Sequence, residues 1–488
     1  MKQQIPLGQI KFHPHSFGDH TVRLFRYNGE LYRGISGERA VFFQKLFQES
    51  VIQKITEKGL LIESELTSFD VEGFDLVIRH RTIPFNSYPT EWCAAMLKDG
   101  MLTMIDLAIE LAKQGLTLGD AHPWNLLFDL ENNRPVFIDL GSIMPIDFST
   151  WSVYDEFCRF CLYPLILMAY DHDEIARLLM FEDRGVVKSD VLQLVGEGIF
   201  LEETYQRSFL GFFEAKIQQL ILKFPYSYRQ KIKKQLLSIF SSVPITHQKL
   251  ADSVSLMQNR KEKSHLEFLE KVRDEVEKIK INGYNQNYFE TERKSSFSPE
   301  NSWTAKQRNV YQILTELRPT SVLDISYHPG WYGQLAAVLG SQVISFDTDR
   351  NGTTQLYHDV LDKKIPMLPL IMDFTKSTPP RGLGNHWSIA ATERLSCDMV
   401  LALGLVHHLV KERRLNFDQI AEGLFLFAKK WVLVEFIPRD DRELSQDGLE
   451  RYPWYTLDNF IQVLQLKFKS VKIIPSAPEP RLLLLCKK

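Results

Sequence analysis

The sequence predicts an α/β protein in which an α+β region comes first and a mostly parallel sheet with an antiparallel final strand comes last. Three observations lead to this prediction. The chain has 488 residues, more than the roughly 100–200 of one compact domain. Its first half combines a hairpin signal with long helical patterns, as α+β regions do. After residue 303, short apolar strands alternate with helical segments, which is typical of a parallel sheet built from βαβ units.

The composition is that of an ordinary globular protein, with 44% hydrophobic and 24% charged residues. The net charge of −3 gives no global basic field that would indicate binding to nucleic acid or an acidic membrane. The N-terminus lacks an apolar signal core, and the longest apolar run is too short to span a bilayer. We therefore expect a cytoplasmic protein without a membrane span.

The five cysteines are too few for a disulfide scaffold and fit a reducing compartment. Cys158 and Cys161 form a lone CxxC pair. A structural zinc site would need a second pair of ligands at suitable spacing, and the sequence offers none. We interpret both residues as small apolar side chains on a buried helix.

The first elements are a hairpin, a helix, a strand and a second helix. Residues 22–35 form two strand patterns around Asn28 and Gly29, a strong signal for a type I′ turn. Apolar residues at helical spacing predict a helix over 37–59, and residues 74–80 read as a strand. A long helix is predicted over 91–114, and the region from about 150 to 250 is predicted to be mostly helical.

A polar loop with Asp120 and Asn125 lies between that long helix and a strand that carries Asp139. The spacing of these three residues resembles the catalytic core of kinase-like phosphotransferases, and His122 resembles the loop histidine of the aminoglycoside phosphotransferase type. The resemblance implies that Asp120 accepts a substrate hydroxyl proton, while Asn125 and Asp139 hold Mg²⁺ beside ATP. A capped turn is the structural alternative for Asp120 and Asn125.

The sequence leaves the activity of this region open. It has no glycine-rich loop before the hairpin turn, and Arg33 stands where such enzymes carry a phosphate-binding lysine. Arginine binds phosphate but does not replace lysine in every respect. Glu38 is the candidate ion-pair partner of Arg33. An active phosphotransferase and a degenerate one that binds a partner or substrate both remain open.

We predict a kinase-like domain over 1–250, a connector over 251–300 and a second domain over 301–488. The connector starts with a highly charged helical stretch and continues with polar turn formers. Seven strand patterns follow in the last domain, over 320–326, 342–347, 368–374, 397–403, 431–436, 470–475 and 481–486. The last two are separated by a short turn, so we expect that pair to be antiparallel.

Asp324 ends the first strand of this domain, and a turn with Gly330 leads into a helix. This pattern resembles the first motif of class I S-adenosylmethionine-dependent methyltransferases, which have a Rossmann-like seven-stranded sheet. It departs from the motif at Ser326, where the first glycine is usual, and at His328, where glycine or asparagine is common. The resemblance implies that Asp324, Ser326 and Gly330 contact S-adenosylmethionine.

Two further acids follow the next two strands, Asp347 and Asp373. The resemblance implies that Asp347 accepts the hydroxyls of the ribose and that Asp373 contacts the adenine amino group. Leu403 falls in the fourth motif, beside the site of methyl transfer. Asp398 lies at the other end of that strand and is interpreted as structural.

His407 and His408 follow the fourth strand. Either histidine could take a proton from the acceptor, and we expect at most one of them to face the site. Catalysis by positioning alone is the alternative, because a sulfonium already provides a good leaving group.

The late motifs also resemble a bacterial methyltransferase-like family that includes nodulation-associated proteins. The leading hypothesis is methyl transfer to an unidentified acceptor, a small molecule or a glycan, that the kinase-like domain helps to bind. The alternatives are an ATP-dependent phosphotransferase with a degenerate second domain and a non-catalytic scaffold. The oligomeric state stays open.

Overall fold

The computed structural model describes residues 3–13, 16, 21–148, 150–196, 247–281, 297–298, 302–326, 330–441 and 449–488. His328 lies outside these ranges. The part of the predicted helical region that covers residues 197–246 also lies outside them. We call residues 3–281 the N-terminal unit and residues 302–488 the C-terminal unit. Among the described residues, no helix combines the length and apolar character that crossing a bilayer requires.

The N-terminal unit begins with an antiparallel five-stranded sheet in the order β2-β3-β4-β7-β5. The strands of this part are β1 (Gln3–Ile5), β2 (Lys11–Phe12), β3 (Val22–Tyr27), β4 (Glu30–Ile35), β5 (Ser64–Leu66), β6 (Phe69–Val71) and β7 (Leu76–His80). The predicted hairpin is confirmed, because β3 pairs with β4 around Asn28 and Gly29, which both have positive φ. Strands β1 and β6 form a separate parallel pair.

The helix predicted over 37–59 is two helices, α1 (Glu38–Gln48) and α2 (Val51–Glu57). Ser50 between them has a φ of 57°, a left-handed conformation that ends the first helix. The long helix α3 (Ala94–Ala112) is confirmed, and most of its apolar side chains are buried.

Four short strands and a group of helices follow α3. The strands β8 (Leu116–Leu118) and β11 (Ile143–Pro145) form one antiparallel pair, and β9 (Leu126–Asp129) and β10 (Arg134–Phe137) form another. The helices are α4 (Tyr154–Phe157), a π-helical turn (Cys158–Leu162), α5 (Tyr163–Ala169), α6 (Asp173–Met180) and α7 (Lys188–Val195). Both cysteines of the CxxC pair are buried and free, in agreement with their apolar interpretation.

The charged stretch before the C-terminal unit forms helix α8 (His247–Lys278). Its last turns pack on α3. Arg273 Nε donates to Asp106 Oδ1 at 2.6 Å, and Lys98 Nζ donates to the carbonyl of Ile279 at 2.7 Å. The predicted helix is therefore present, and its end is part of the N-terminal unit. The exact boundaries of the three predicted regions remain a prediction.

The C-terminal unit is built on a seven-stranded mixed sheet in the order β14-β13-β12-β15-β16-β18-β17. Its strands are β12 (Ser321–Asp324), β13 (Gln342–Asp347), β14 (Met367–Ile371), β15 (Cys397–Ala402), β16 (Ala428–Phe436), β17 (Ser470–Pro475) and β18 (Leu482–Lys487). The first five run parallel, and β18 is antiparallel to both of its neighbours. The predicted sheet is thus confirmed.

Helices cover both faces of this sheet. They are α9 (Ala305–Leu317), α10 (Trp331–Val338), α11 (Arg350–Lys363), α12 (Ala391–Arg394), α13 (Val406–Lys411), α14 (Phe417–Phe427) and α15 (Leu457–Lys467). In a sheet of this kind, the loops after the parallel strands meet at one edge, where ligands bind. The acids predicted for cofactor binding all follow such strands.

The two units are in direct contact. Tyr357 of α11 donates its hydroxyl to Asp99 of α3 at 2.7 Å, and Arg350 pairs with Asp173 of α6 at 2.8 Å. Tyr357 also packs edge-on against Phe128. Side chains of both units therefore belong to one continuous buried cluster.

Candidate functional sites

A cleft with a cavity volume of about 80 Å³ opens at the carboxyl ends of the parallel strands β12 to β14. This volume is below the roughly 300–1,000 Å³ that is usual for small-molecule sites. The side chains that line it come from four neighbouring strand ends and from α13: Ile325, Phe346, Asp347, Thr348, Met372, Asp373, Phe374, Leu405, His408, Leu409, Glu412 and Arg413. Apolar faces and a few charged groups thus converge there.

Asp324 lies behind this cleft and is 2% exposed. Its Oδ1 accepts the N–H of Ser326 at 3.0 Å, and its Oδ2 accepts the N–H of Gly333 at 2.8 Å. Burial raises the pKa of the Asp324 carboxyl, and these hydrogen bonds oppose that rise. The residue shapes the loop that follows β12, and its direct contact with a cofactor remains a prediction.

Ser326 and Leu403 are joined at the base of the cleft. The Ser326 hydroxyl accepts the backbone N–H of Leu403 at 3.1 Å, and the hydroxyl therefore ties the end of β12 to the end of β15. A glycine at position 326 could not form this bond. The Leu403 side chain is fully buried in the core, and Leu405 lines the cleft instead. Leu403 itself does not line the cleft.

Gly330 begins the turn into α10 with a φ of +73°. A Cβ there would lie 2.6 Å from Leu356 Cδ2, so no larger residue fits without moving that side chain. The conformation and the crowding together explain why this motif position carries glycine.

Asp347 ends β13 on the wall of the cleft. Its Oδ1 accepts the N–H of Asp349 at 2.9 Å, and burial raises the pKa of its carboxyl. Asp373 follows β14 on the same wall, where its Oδ1 accepts the N–H of Thr375 and its Oδ2 pairs with Arg413 at 2.9 Å. The structure thus brings Asp347 and Asp373 to one cleft, while Asp324 lies behind it.

His407 and His408 differ in their surroundings. His407 is 7% exposed, whereas His408 lines the cleft. The Nδ1 of His408 is 2.8 Å from Glu412 Oε1 on the next turn of α13. This contact orients the ring through one nitrogen, as carboxylates do for functional histidines. Of the pair, only His408 contributes to the cleft wall.

The N-terminal unit has a larger cleft between its sheet and its helices, with a cavity volume of about 620 Å³. Asp120, Asn125 and Asp139 all line it, so the structure brings the three predicted residues together. The Asp120 Oδ1 accepts the N–H of His122 at 2.9 Å, as in a capped turn. Burial raises the pKa of Asp120, and the nearby Asp139 raises it further.

Arg33 reaches into this cleft from β4 and is 5% exposed. Its Nη1 donates to Asp139 Oδ1 at 2.8 Å, and its Nε donates to His80 Nε2 at 3.1 Å. Burial and the Arg33 charge hold the pKa of His80 well below its usual value, so His80 is neutral. The candidate partner Glu38 is instead exposed, because it lies at the outer start of α1.

Arg33 competes with a magnesium ion for one oxygen of Asp139. Asp139 Oδ1 already accepts from Arg33 and from the N–H of Gly141. In the described parts of the chain, no three His, Cys, Asp or Glu side chains are grouped for a metal. The side chain of Asn125 lies beside Asp120 and lowers the pKa of its carboxyl. The metal role of Asn125 and Asp139 remains a prediction.

Glu156 and Trp387 also line this cleft, and sequence reasoning did not predict either of them. Glu156 Oε2 accepts the N–H of Ala121 at 3.2 Å, and burial and the neighbouring Asp120 raise its pKa to about 7. Burial and Arg159 lower the pKa of His122 to about 3. Trp387 comes from the C-terminal unit. No local pattern could reveal these residues, because they reach the cleft only through tertiary contacts.

The strand order and the position of the cleft give the C-terminal unit the Rossmann-like seven-stranded sheet that the sequence predicted. The whole chain is similar to the nodulation protein NoeA of Rhizobium meliloti (strain 1021), with 24% identity over 480 residues. The similarity covers 95% of this chain and 93% of NoeA. The resemblance to nodulation-associated proteins is thereby confirmed. No protein-family model matches the chain.

Solved methyltransferases are similar to part of the chain. Magnesium protoporphyrin IX methyltransferase from Synechocystis PCC 6803, with bound SAH, is 12% identical over 37% of this chain and 81% of its own, with a TM-score of 0.27. TehB from Haemophilus influenzae is 14% identical over 39% of this chain and 65% of its own, with a TM-score of 0.27. The bifunctional kinase-methyltransferase WbdD is 14% identical over 37% of both chains, with a TM-score of 0.28.

Proposed function

We propose that the C-terminal unit transfers a methyl group from S-adenosylmethionine to an acceptor that is not yet identified. The observation that carries this proposal is the position of Asp347 and Asp373. Asp347 ends β13 and Asp373 follows the adjacent parallel strand β14, and both line one cleft at the ligand-binding edge of the sheet.

The cleft residues match the parts of the cofactor. The Asp347 carboxylate would accept the two hydroxyls of the ribose. Phe374, Leu405 and Leu409 offer apolar surface for the adenine ring, and Asp373 with Arg413 offers polar groups at its edge. When bound, S-adenosylmethionine would supply a methyl group activated by a sulfonium.

His408 is the residue in this cleft that could take a proton from the acceptor. Glu412 contacts its Nδ1 and orients the ring in the cleft wall. Catalysis by positioning alone remains the alternative, in which His408 only shapes the site.

The experiment is a labelling assay with trideuteromethyl S-adenosylmethionine and an extract of cells that lack this protein. We expect a deuterated product with the full chain and at least about tenfold less product with Asp347→Ala. A tenfold change corresponds to the loss of roughly 1.4 kcal/mol of binding free energy. Asp458→Ala changes an exposed acid at the start of α15 and serves as the matched control. No labelled product with the unchanged chain would favour the scaffold alternative.

For the N-terminal unit, we infer a kinase-like cleft that binds a ligand without ATP-dependent phosphate transfer. The Arg33–Asp139 pair supports this inference, because it occupies the acid that would hold magnesium. We expect no magnesium-dependent ATP hydrolysis above the level of Asp139→Ala. Turnover that vanishes in Asp139→Ala would instead support the phosphotransferase alternative.

A further inference from the structure

Three aromatic side chains form one wall of the N-terminal cleft: Tyr88, Trp124 and Trp387. The ring centroids of Tyr88 and Trp124 are 4.5 Å apart, and those of Trp124 and Trp387 are 5.2 Å apart. Trp387 belongs to the C-terminal unit, between β14 and β15, and is 42% exposed. The second unit therefore completes the cleft of the first with a side chain that remains open to a ligand.

The loop that carries Trp387 is held firmly in place. The backbone N–H of Trp387 donates to the backbone carbonyl of Arg381 at 2.8 Å. Gly382 has a φ of +85°, and a Cβ there would come within 2.3 Å of Trp387 Cβ. Arg381 lies over the ring of Phe181 at 3.6 Å, and the N–H of Ile389 donates to the Tyr88 hydroxyl at 2.8 Å. Both anchors belong to the N-terminal unit, so the docked units position the indole.

The same cleft presents carboxylates. Asp120 and Glu156 line it together with the aromatic wall. Carboxylate oxygens accept hydrogen bonds from hydroxyls, while an exposed indole face packs against C–H groups. This combination suits a saturated ring that has apolar C–H faces and hydroxyls at its rim.

A flat aromatic nucleobase fits this aromatic wall less well than a saturated ring does. The planes of Trp124 and Trp387 meet at 50°, so they form no parallel slot that could hold a base between them. At 5.2 Å between centroids, the two indoles are already in contact with each other. A ligand therefore packs on the outer face of Trp387.

We propose that the N-terminal cleft binds a hydroxylated saturated ring, such as a pyranose, whose C–H face packs on Trp387 of the C-terminal unit. This proposal rests on the inferred ligand-binding role of the N-terminal cleft and does not depend on methyl transfer. It makes Trp387 a specificity-determining residue of a site that both units build.

The segment 372–394 explains how the two clefts could share an acceptor. Met372 and Asp373 line the C-terminal cleft at its start, and Trp387 lines the N-terminal cleft further on. Between them, the Thr378 hydroxyl donates to Glu91 Oε1 at 2.5 Å. One anchored segment thus contributes to both sites.

The test is saturation-transfer difference NMR on the full chain with methyl α-glucopyranoside, methyl α-mannopyranoside, methyl α-galactopyranoside and adenosine as separate probes. We expect signals from pyranoside ring C–H protons that fall at least about fivefold in Trp387→Ala. Leu383→Ala, which changes a 99% exposed residue of the same loop, should leave them within about twofold. Trp387→Phe keeps an aromatic face and should retain most of the signal.

A second measurement keeps the proposal testable if Trp387→Ala does not fold. When the protein is labelled with 5-fluorotryptophan, the fluorine resonance that is missing in Trp387→Phe belongs to Trp387. This resonance should shift when a pyranoside is added. Three results would overturn the proposal: no pyranoside signal with the unchanged chain, pyranoside signals that do not depend on Trp387, or Trp387-dependent signals from adenosine alone. Because nothing is methylated in these experiments, their failure is distinct from a failure of the proposed methyl transfer.

Discussion

Arg394 of the C-terminal unit donates from Nη1 to Glu91 Oε2 of the N-terminal unit at 2.9 Å, and both side chains are at most 3% exposed. The pair is fully satisfied. Glu91 also accepts the N–H of Tyr88 and the hydroxyl of Thr378. A buried ion pair with complete hydrogen bonding is tolerated in the interior, but removing one partner leaves an uncompensated charge. The contact between the units is therefore sensitive to a single truncation.

Arg394→Ala should lower the free energy of unfolding by about 3–5 kcal/mol, because it leaves Glu91 buried and unpaired. Urea denaturation monitored by circular dichroism measures this loss. Lys467→Ala removes a more exposed pair with Glu422 and should cost no more than about 1 kcal/mol. A cost below about 1 kcal/mol for Arg394→Ala would show that the two units do not depend on this contact.

Arg33→Lys should destabilise the N-terminal unit by roughly 1–3 kcal/mol. Arg33 donates to both His80 and Asp139 from one rigid guanidinium, and a single ammonium cannot reproduce both bonds. Arg79→Lys is the matched control, since Arg79 pairs with Glu65 at an exposed position of the same sheet. Equal unfolding free energies for the two variants would contradict the bridging role of Arg33.

Glu156 should make stability depend on pH. Burial and Asp120 raise its pKa from 4.5 to about 7, so the folded state holds a proton that the unfolded state releases earlier. The resulting stabilisation is fully present below pH 4.5 and is lost as the pH rises through about 7. Between pH 5 and 8, we expect the free energy of unfolding of the unchanged chain to fall by about 2 kcal/mol more than that of Glu156→Gln, because glutamine cannot titrate. If the unfolding free energies of the unchanged chain and of Glu156→Gln follow parallel curves against pH, the role of Glu156 in the pH dependence is refuted.

His408→Gln should reduce methyl transfer by about 10²–10⁴-fold if His408 accepts the acceptor proton. The affinity for S-adenosylhomocysteine should change by less than about twofold, because the proton is transferred only during the reaction. Rates of labelled product formation and calorimetric affinities separate the two effects. Glu412→Gln should give a smaller loss of rate, since Glu412 acts only through the ring of His408. A rate within about threefold of the unchanged chain would favour catalysis by positioning alone.

The sequence predicted the elements better than their contacts. Alternating strand and helix patterns were sufficient for the seven strands, and Asn28 with Gly29 was sufficient for the hairpin, because these signals are local. The break at Ser50 was missed, since the apolar spacing continues through it.

Contacts between distant parts of the chain were not predictable. Trp387 and Trp124 are more than 260 positions apart, and nothing in either segment indicates that they touch. For the same reason, the sequence could not show that Asp324 turns its oxygens to Ser326 and Gly333. Arg413 was missed because a single arginine after a helix is usually a solvated surface residue.

The most direct test of the central claim is a calorimetric titration of the full chain with S-adenosylhomocysteine. The proposed cleft predicts binding at one site, with an affinity at least about tenfold weaker in Asp347→Ala and unchanged in Asp458→Ala. The absence of binding heat at millimolar concentration, or equal affinity in Asp347→Ala, would contradict the assignment of this cleft to the methyl donor.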